Sequence, residues 1–249
     1  QTTRLWRRLY REKKLNEVQS AFWKKKAPEE LYDIKADPHE TVNLASSPGH
    51  RKKLLELRAA LHTHLKSSHD VALLPEGMFH DMAREHAVSP GELTRKKGAY
   101  PVDQILEAAD LLLQPDLQEK KVARMLKAEL PAQRYWAALA CLYLGERMSH
   151  ALGKQLTGLL EDPSLSVRIA AAETLATYPV REEMRSTAIE VLLTNSDPTV
   201  SSAFHAVAAL NALDHQPQSL LEPFKKRILA LPTTDPDAPG RPNGYAARM

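Results

Sequence analysis

Only one cysteine, Cys141, occurs in the 249 residues, so the chain can form no internal disulfide and no thiolate-based zinc site. No apolar run approaches the ~18 residues that a helix needs to cross a bilayer, which excludes a membrane span. The opening lacks the charged, apolar and small-residue sections of a signal peptide. It begins with Gln1 rather than Met, and we read the chain as processed or as the tail of a longer polypeptide, which leaves localisation open. What is present is an ordinary globular balance, 43% hydrophobic and 26% charged, enough for one large or two smaller domains. Cys141 sits in the apolar phrase AALACLYLG and reads as a buried, inert thiol.

The formal net charge of +3 hides an uneven distribution. Residues 1–26 hold nine basic side chains (Arg4, Arg7, Arg8, Arg11, Lys13, Lys14, Lys24, Lys25, Lys26) against Glu12 and Glu17, so the remainder is slightly acidic. Trp6, Tyr10, Phe22 and Trp23 are interleaved with them, a pattern open to nucleic acid or another anionic ligand. It is equally the pattern of an amphipathic segment that packs Leu5, Trp6, Leu9 and Tyr10 on a domain outside the chain and leaves its cations in solvent. We adopt the second reading and do not expect nucleic acid as a partner.

Residues 1–23 read as helix or helix plus turn, with Thr2 or Thr3 as N-cap and Pro28 as the stop. EELYDIKA has the Leu31, Tyr32, Ile34 character of a short strand, and Asp37-Pro38 signals a turn. After Pro48-Gly49 the apolar period changes, and Leu54, Leu57, Leu61 and Leu65 predict an amphipathic helix lying across that strand, with Ser47 as a cap candidate. Pro75, Gly77, Pro90, Gly91 and Gly98 make 71–100 read as a connector.

From residue 101 onward the sequence is helical and repeats itself. RYWAALACLYLG (134–145) aligns with VRIAAAETLATY (167–178), and EDPSLSVRIAAAETLA (161–176) aligns with SDPTVSSAFHAVAALN (196–211). Asp162-Pro163 then lies over Asp197-Pro198, and Leu175 over Leu210. A helix pair alone cannot hide its apolar stripe, so such pairs stack, and alanines let the axes approach closely. Pro suits a helix start, and the Asp before it can cap. The alanine-rich helices are predicted at 131–144, 164–177 and 199–212, with partners near 117–129, 147–160 and 181–194. Further helices are predicted at 103–113 and 219–230. The spacing and the phrase DPSLSVRIAAAETLA resemble HEAT repeats. Residues 231–249 form a Pro-rich tail expected to be extended.

The stretch PEELYDIKADPHETVNLASSPGHRKKLLELRAAL carries a second resemblance. Glu30, Leu31, Tyr32, Asp33, Asp37, Pro38, Glu40, Asn43, Leu44 and Ala45 match the phrase near the C-terminus of sulfatases, members of the alkaline-phosphatase-like superfamily. The resemblance covers roughly residues 1–70 and implies a small antiparallel sheet with a packing helix. The expected fold is therefore mainly α: an α-α superhelix of HEAT type (101–230) preceded by a small α+β subdomain (1–70).

The residue chemistry of that phrase is structural. Leu31 and Leu44 can be buried, Asp37 can accept the N–H groups of its turn, and Asn43 can tie a loop, so Asp37 and Glu40 do not read as an acid/base pair. The resemblance implies that a sulfatase needs a Cys- or Ser-x-Pro-x-Arg motif, whose Cys or Ser becomes formylglycine, and an Asp-rich calcium site. Cys141 is followed by Leu-Tyr-Leu, and SSPGH (46–50) has His where Arg is required. His62 and His64 face different directions on one helix, and His80 and His86 lack ligand spacing. We assign no catalytic, cofactor-binding or metal-binding residue to this chain. The resemblance instead implies that calcium and formylglycine belong to a catalytic domain upstream of Gln1, that this domain is the chain's first partner, and that the parent is secreted or periplasmic. The rival reading is a stand-alone scaffold whose solenoid holds a protein or an anionic polysaccharide.

Overall fold

Every regular element of the computed structural model, which describes residues 2–114 and 119–231, is helical. In chain order these are α1 (Thr2–Arg11), α2 (Glu17–Ser20), α3 (Arg51–Ser68), α4 (Glu76–Glu85), α5 (Pro90–Leu93), α6 (Val102–Ala109), α7 (Glu119–Met125), α8 (Pro131–Leu144), α9 (Glu146–Ala151), α10 (Gly153–Gly158), α11 (Leu165–Thr177), α12 (Glu182–Asn195), α13 (Ala203–Asp214), α14 (Gln218–Leu221) and α15 (Lys225–Leu229). The chain divides into two compact units, Gln1–His64 and Leu65–Met249, with the division inside α3. The Pro-rich tail lies outside the described residues except for Leu231, as do the first two positions of the helix predicted at 117–129.

The first unit corrects the expected α+β subdomain: no strand occurs among the described residues, and the antiparallel sheet is absent. The reason lies in Asp33. Its carboxylate takes the N–H groups of Lys35 (3.0 Å) and Ala36 (3.3 Å), and its carbonyl takes those of Ala36 (3.1 Å) and Asp37 (2.7 Å). Amides that a strand would offer to a neighbour are consumed in a local turn. One cross-link survives where the sheet was expected, Leu44 N–H to the Leu31 carbonyl at 2.7 Å. Thr2 and Thr3 lie within α1 rather than capping it. Leu54 is the single buried hydrophobic residue among the described residues of this unit.

The second unit is a stack of helices. α8, α11 and α13 pack on one another in sequence, while α7 and α9 pack on α8, α10 on α11, and α12 on both α11 and α13. Ala137, Ala138 and Ala140 on α8, Ala170 to Ala172 on α11, and Ala206, Ala209 and Ala212 on α13 are all buried. Their small side chains allow the backbones to meet, and the Thr174 hydroxyl of α11 reaches the Ala138 carbonyl of α8 at 3.2 Å. Gly145 ends α8 at φ +86°, a conformation that a side chain would strain.

The Asp-Pro turns recur with a difference. Asp162 accepts the Ser164 N–H at 2.9 Å, and α11 starts directly after Ser164. Asp197 accepts the Thr199 N–H at 2.8 Å, but its carbonyl also takes the N–H groups of Val200 and Ser201, so α13 begins later, capped by Ser202. Neither aspartate is itself the N-cap; each shapes the turn leading to one.

A buried ion pair ties the stack. Arg134 on α8 grips Asp162 through Nε (2.6 Å) and Nη2 (2.8 Å), and its Nη1 donates to the carbonyls of Ala128 (2.8 Å) and Glu129 (2.7 Å) at the turn after α7. Residues 71–100 are folded into the same core, since Leu74, Met78, Met82, Leu93 and Ala99 are buried in one continuous cluster with Ala137, Leu175 and Leu213.

Arg134→Met strands the buried Asp162 carboxylate, and we expect a loss of ~3–5 kcal/mol in the denaturant-unfolding free energy. Arg134→Met combined with Asp162→Leu should lose clearly less than the two single effects added, because no lone charge remains.

Candidate functional site

The rival scaffold reading seats a partner on the solenoid, and α4 packs against α11 and α13 of its alanine-rich helices. Trp136 of α8 donates Nε1–H to the Leu73 carbonyl at 2.8 Å, just ahead of α4. His80 of α4 stacks on Phe204 of α13 at 4.4 Å between ring centroids. Met78, Met82 and Ala83 are the buried side of α4.

The closest approach is between Gly77 and His205. A Cβ on Gly77 would fall 2.5 Å from His205 Nε2, so only glycine fits there without displacing the ring. His205 is 2% exposed, with Nδ1 2.7 Å from Ser202 Oγ and Nε2 3.2 Å from Ser166 Oγ and 3.3 Å from Asp81 Oδ2. A carboxylate beside Nε2 favours the tautomer that carries its proton there, leaving Nδ1 to accept from Ser202. Ser166 then faces a donor rather than a base. Ser166, His205 and Asp81 therefore do not make a nucleophilic relay, in which the acid and the nucleophile would sit on opposite ring nitrogens. Burial lowers the His205 pKa from its ordinary value, opposed by Asp81 and assisted by Arg84.

Three hollows border this region. One of about 850 Å³ is lined by Glu85, His86, Glu107, Arg124, Lys127 and Glu129 among others, and another of about 690 Å³ by Asp81, Arg84, Glu129 and Arg134. Both mix charges of either sign. The third, about 190 Å³, lies between Tyr135, Ala170, Glu173, Ala208 and His215.

In the first unit, the residues of the 29–45 phrase make a hydrogen-bonded loop. Asn43 Oδ1 accepts the N–H groups of Leu31 (3.0 Å) and Ala45 (2.9 Å), and its Nδ2 donates to the Glu29 carbonyl (3.2 Å). Asp37 accepts the N–H groups of Thr41 (2.7 Å) and Val42 (2.8 Å) and the Thr41 hydroxyl (3.1 Å). Those bonds, that of Val42 first, hold the Asp37 carboxyl below the usual range. Glu29 closes the loop onto α3 through a two-pronged pair with Arg58 at 2.8 and 2.5 Å. Leu31 and Leu44 are half-buried, and Glu40 is exposed in the left-handed region at φ +53°.

The remaining candidates do no visible chemistry. Cys141 is buried and its thiol is pushed up to about 12 by desolvation, so it stays protonated. Ser47 stands at the expected helix start, but its hydroxyl meets His50 Nδ1 at 2.9 Å instead of a backbone N–H. His80 packs on an aromatic ring, and Lys96 donates to the carbonyl of His86 at 2.6 Å. His62 and His64 lie on α3. Among the described residues, no group of three or more His, Cys, Asp or Glu could hold a metal ion, and no helix is long and apolar enough to cross a membrane.

Comparison with known proteins gives a partial likeness to a sulfatase. Over 70 residues, 28% of this chain, the sequence is 47% identical to an ulvan-active sulfatase of Formosa agariphila, and the matched stretch is 12% of that protein's length. No family model and no solved structure matches the chain.

Gly77→Ala should destabilise the second unit by ~1–3 kcal/mol, read as a lower urea midpoint. Because the folded state resists protonating His205, that residue's contribution is intact above the unfolded histidine value of ~6.5 and is lost as pH falls below it. Melting temperature followed down to about pH 5 should fall more steeply in the parent chain than in His205→Gln. Asn43→Ala removes three hydrogen bonds, and limited proteolysis should then cut within 29–45 while leaving the second unit intact.

Proposed function

We propose that these residues are the C-terminal, non-catalytic portion of a sulfatase-like sulfuric ester hydrolase, in which a terminal subdomain is followed by HEAT-type helical repeats. The observation that carries this reading is the 47% identity over 70 residues to a sulfatase of which the matched stretch is 12%. The loop chemistry supports it. Asn43 and Asp37 spend their side chains on neighbouring backbone, which suits a phrase that closes a subdomain. The first unit buries one hydrophobic residue among those described, a core too small to order 64 residues, so further polypeptide packed on it would complete its burial.

In such a parent, formylglycine and calcium would supply the chemistry of sulfate-ester hydrolysis. The residues here do not fit either group: Cys141 is buried, protonated and outside the required motif, and no metal-ligand cluster is available among the described residues. Both groups belong, in this reading, to an upstream domain of a secreted or periplasmic enzyme. A stand-alone scaffold that holds a protein or an anionic polysaccharide on the solenoid is the second reading; α4 already occupies part of its alanine-rich helices.

The coding sequence immediately upstream of the Gln1 codon tests the proposal. A continuous frame with a Cys- or Ser-x-Pro-x-Arg motif is expected, and a frame without one would overturn it. The 249-residue chain alone should not release sulfate from an aryl sulfate, whereas turnover by it would place the chemistry within these residues.

A further inference from the structure

α1 carries its charges and its rings on different faces. Arg4, Arg7, Arg8 and Arg11 follow helical spacing along one side, and Trp6, Leu9 and Tyr10 lie on the other. The rings are partnered within the segment itself: Trp6 stacks on Phe22 at 4.8 Å, meets Trp23 edge-on at 5.3 Å, and donates Nε1–H to the Gln19 carbonyl at 3.0 Å, while Tyr10 stacks on Trp23 at 6.0 Å. Asn16 and Gln19 cap the returning turn reciprocally at 2.9 and 3.1 Å. A small aromatic centre thus folds residues 2–23 into a helical hairpin.

The fold brings the basic residues together on the outside. Arg7 lies over the Trp23 ring with Cζ 5.8 Å from its centroid, so the arginine row of α1 adjoins Lys24, Lys25 and Lys26, which follow Trp23 directly. All nine basic residues are exposed. Glu12 pairs with Lys14 at 2.7 Å and with Arg8 at 3.8 Å, Glu17 pairs with Lys24 at 3.4 Å, and these are the two carboxylates of the segment. From Arg4 to Arg11 the row is about 10 Å long and open at both ends. That shape suits a run of anions on a linear polymer rather than a single enclosed ion.

We propose that this hairpin is a docking surface for a sulfated polysaccharide. The guanidinium groups offer planar paired donors to sulfate oxygens and are more weakly hydrated than ammonium groups. Nucleic acid is the less fitting polyanion, because the rings of Trp6, Tyr10 and Trp23 are half-buried against one another and against Phe22, and of the four rings only Phe22 is largely exposed for a base to stack on. The choice of sulfate over phosphate rests on the proposed sulfatase origin. On that reading the surface holds the polymer by charge.

The test uses the whole chain and fluorescein-labelled dextran sulfate, read by anisotropy, with uncharged dextran and duplex DNA of matched charge as comparators. Dextran sulfate should bind and uncharged dextran should not, and affinity should fall about tenfold or more between about 50 and about 200 mM salt. Arg4→Gln/Arg7→Gln/Arg11→Gln should weaken binding about tenfold, while the equal charge loss Lys120→Gln/Arg124→Gln/Lys127→Gln in the second unit should change it less than about threefold. Circular dichroism confirms folding, and the salt dependence of the unsubstituted chain stands if a variant does not fold. Absence of binding, an equal loss in both variants, or DNA binding as tight as dextran sulfate would overturn the proposal. The upstream reading frame decides the sulfatase origin separately, so either idea can fail without the other.

Discussion

The guanidinium of Arg134 is the point on which the register of the helical stack depends. It satisfies the last carbonyls of the turn after α7, belongs to α8, and holds the carboxylate that shapes the turn before α11. A buried ion pair is weak evidence of net stability, because desolvating both partners offsets most of their attraction. Its directional demand is another matter. Four donated bonds fix where α7, α8 and α11 start and stop relative to each other, and the alanines between α8 and α11 impose no such direction. Lysine could not replace it, since one ammonium cannot grip a carboxylate with two prongs while also reaching two carbonyls. Arg168 adds to the same centre by donating to the Asp162 carbonyl.

Given that register, the small side chains decide what the stack can do. A layer built from alanines presents shallow relief, and α4 fits it because it matches bulk with absence, His205 against Gly77. The layer that would otherwise be open to another molecule is thus partly occupied by the chain's own residues 71–100. His205 keeps this contact polar and satisfied through Ser202, Ser166 and Asp81, which explains why a titratable ring can be buried there at all.

Much of the second unit could be read from sequence, because its period is long and its signals agree: alanine spacing, Asp-Pro turns and apolar stripes all indicate the same helices. The predicted helix at 131–144 coincides with α8, and the one at 199–212 starts late because Asp197 spends its carbonyl on two further amides. The role of 71–100 was hidden. Its prolines and glycines look like a connector, and Gly77 reads as a breaker until the ring that it accommodates is known. His205 did leave a trace. In the Asp-Pro alignment it stands where the preceding unit has Ala170, which requires some neighbour to yield volume, but nothing local identifies that neighbour. The missing sheet has a similar cause: Leu31, Tyr32 and Ile34 have strand-like character, yet Asp33 between them captures the amides that pairing would need.

The two units are therefore ordered by different physics. The second has a continuous apolar core locked in register by the buried Arg134–Asp162 pair, whereas the first depends on Asn43, Asp37, Asp33 and the Glu29–Arg58 pair. Hydrogen bonds in exposed loops contribute little net free energy each, because water competes for the same groups, so a loop held this way specifies a shape more than it secures one. The aromatic centre of residues 2–23 is the exception within that unit. It gives α1 a hydrophobic anchor made from the segment's own rings, and so lets the basic row hold its arrangement without borrowing burial from elsewhere.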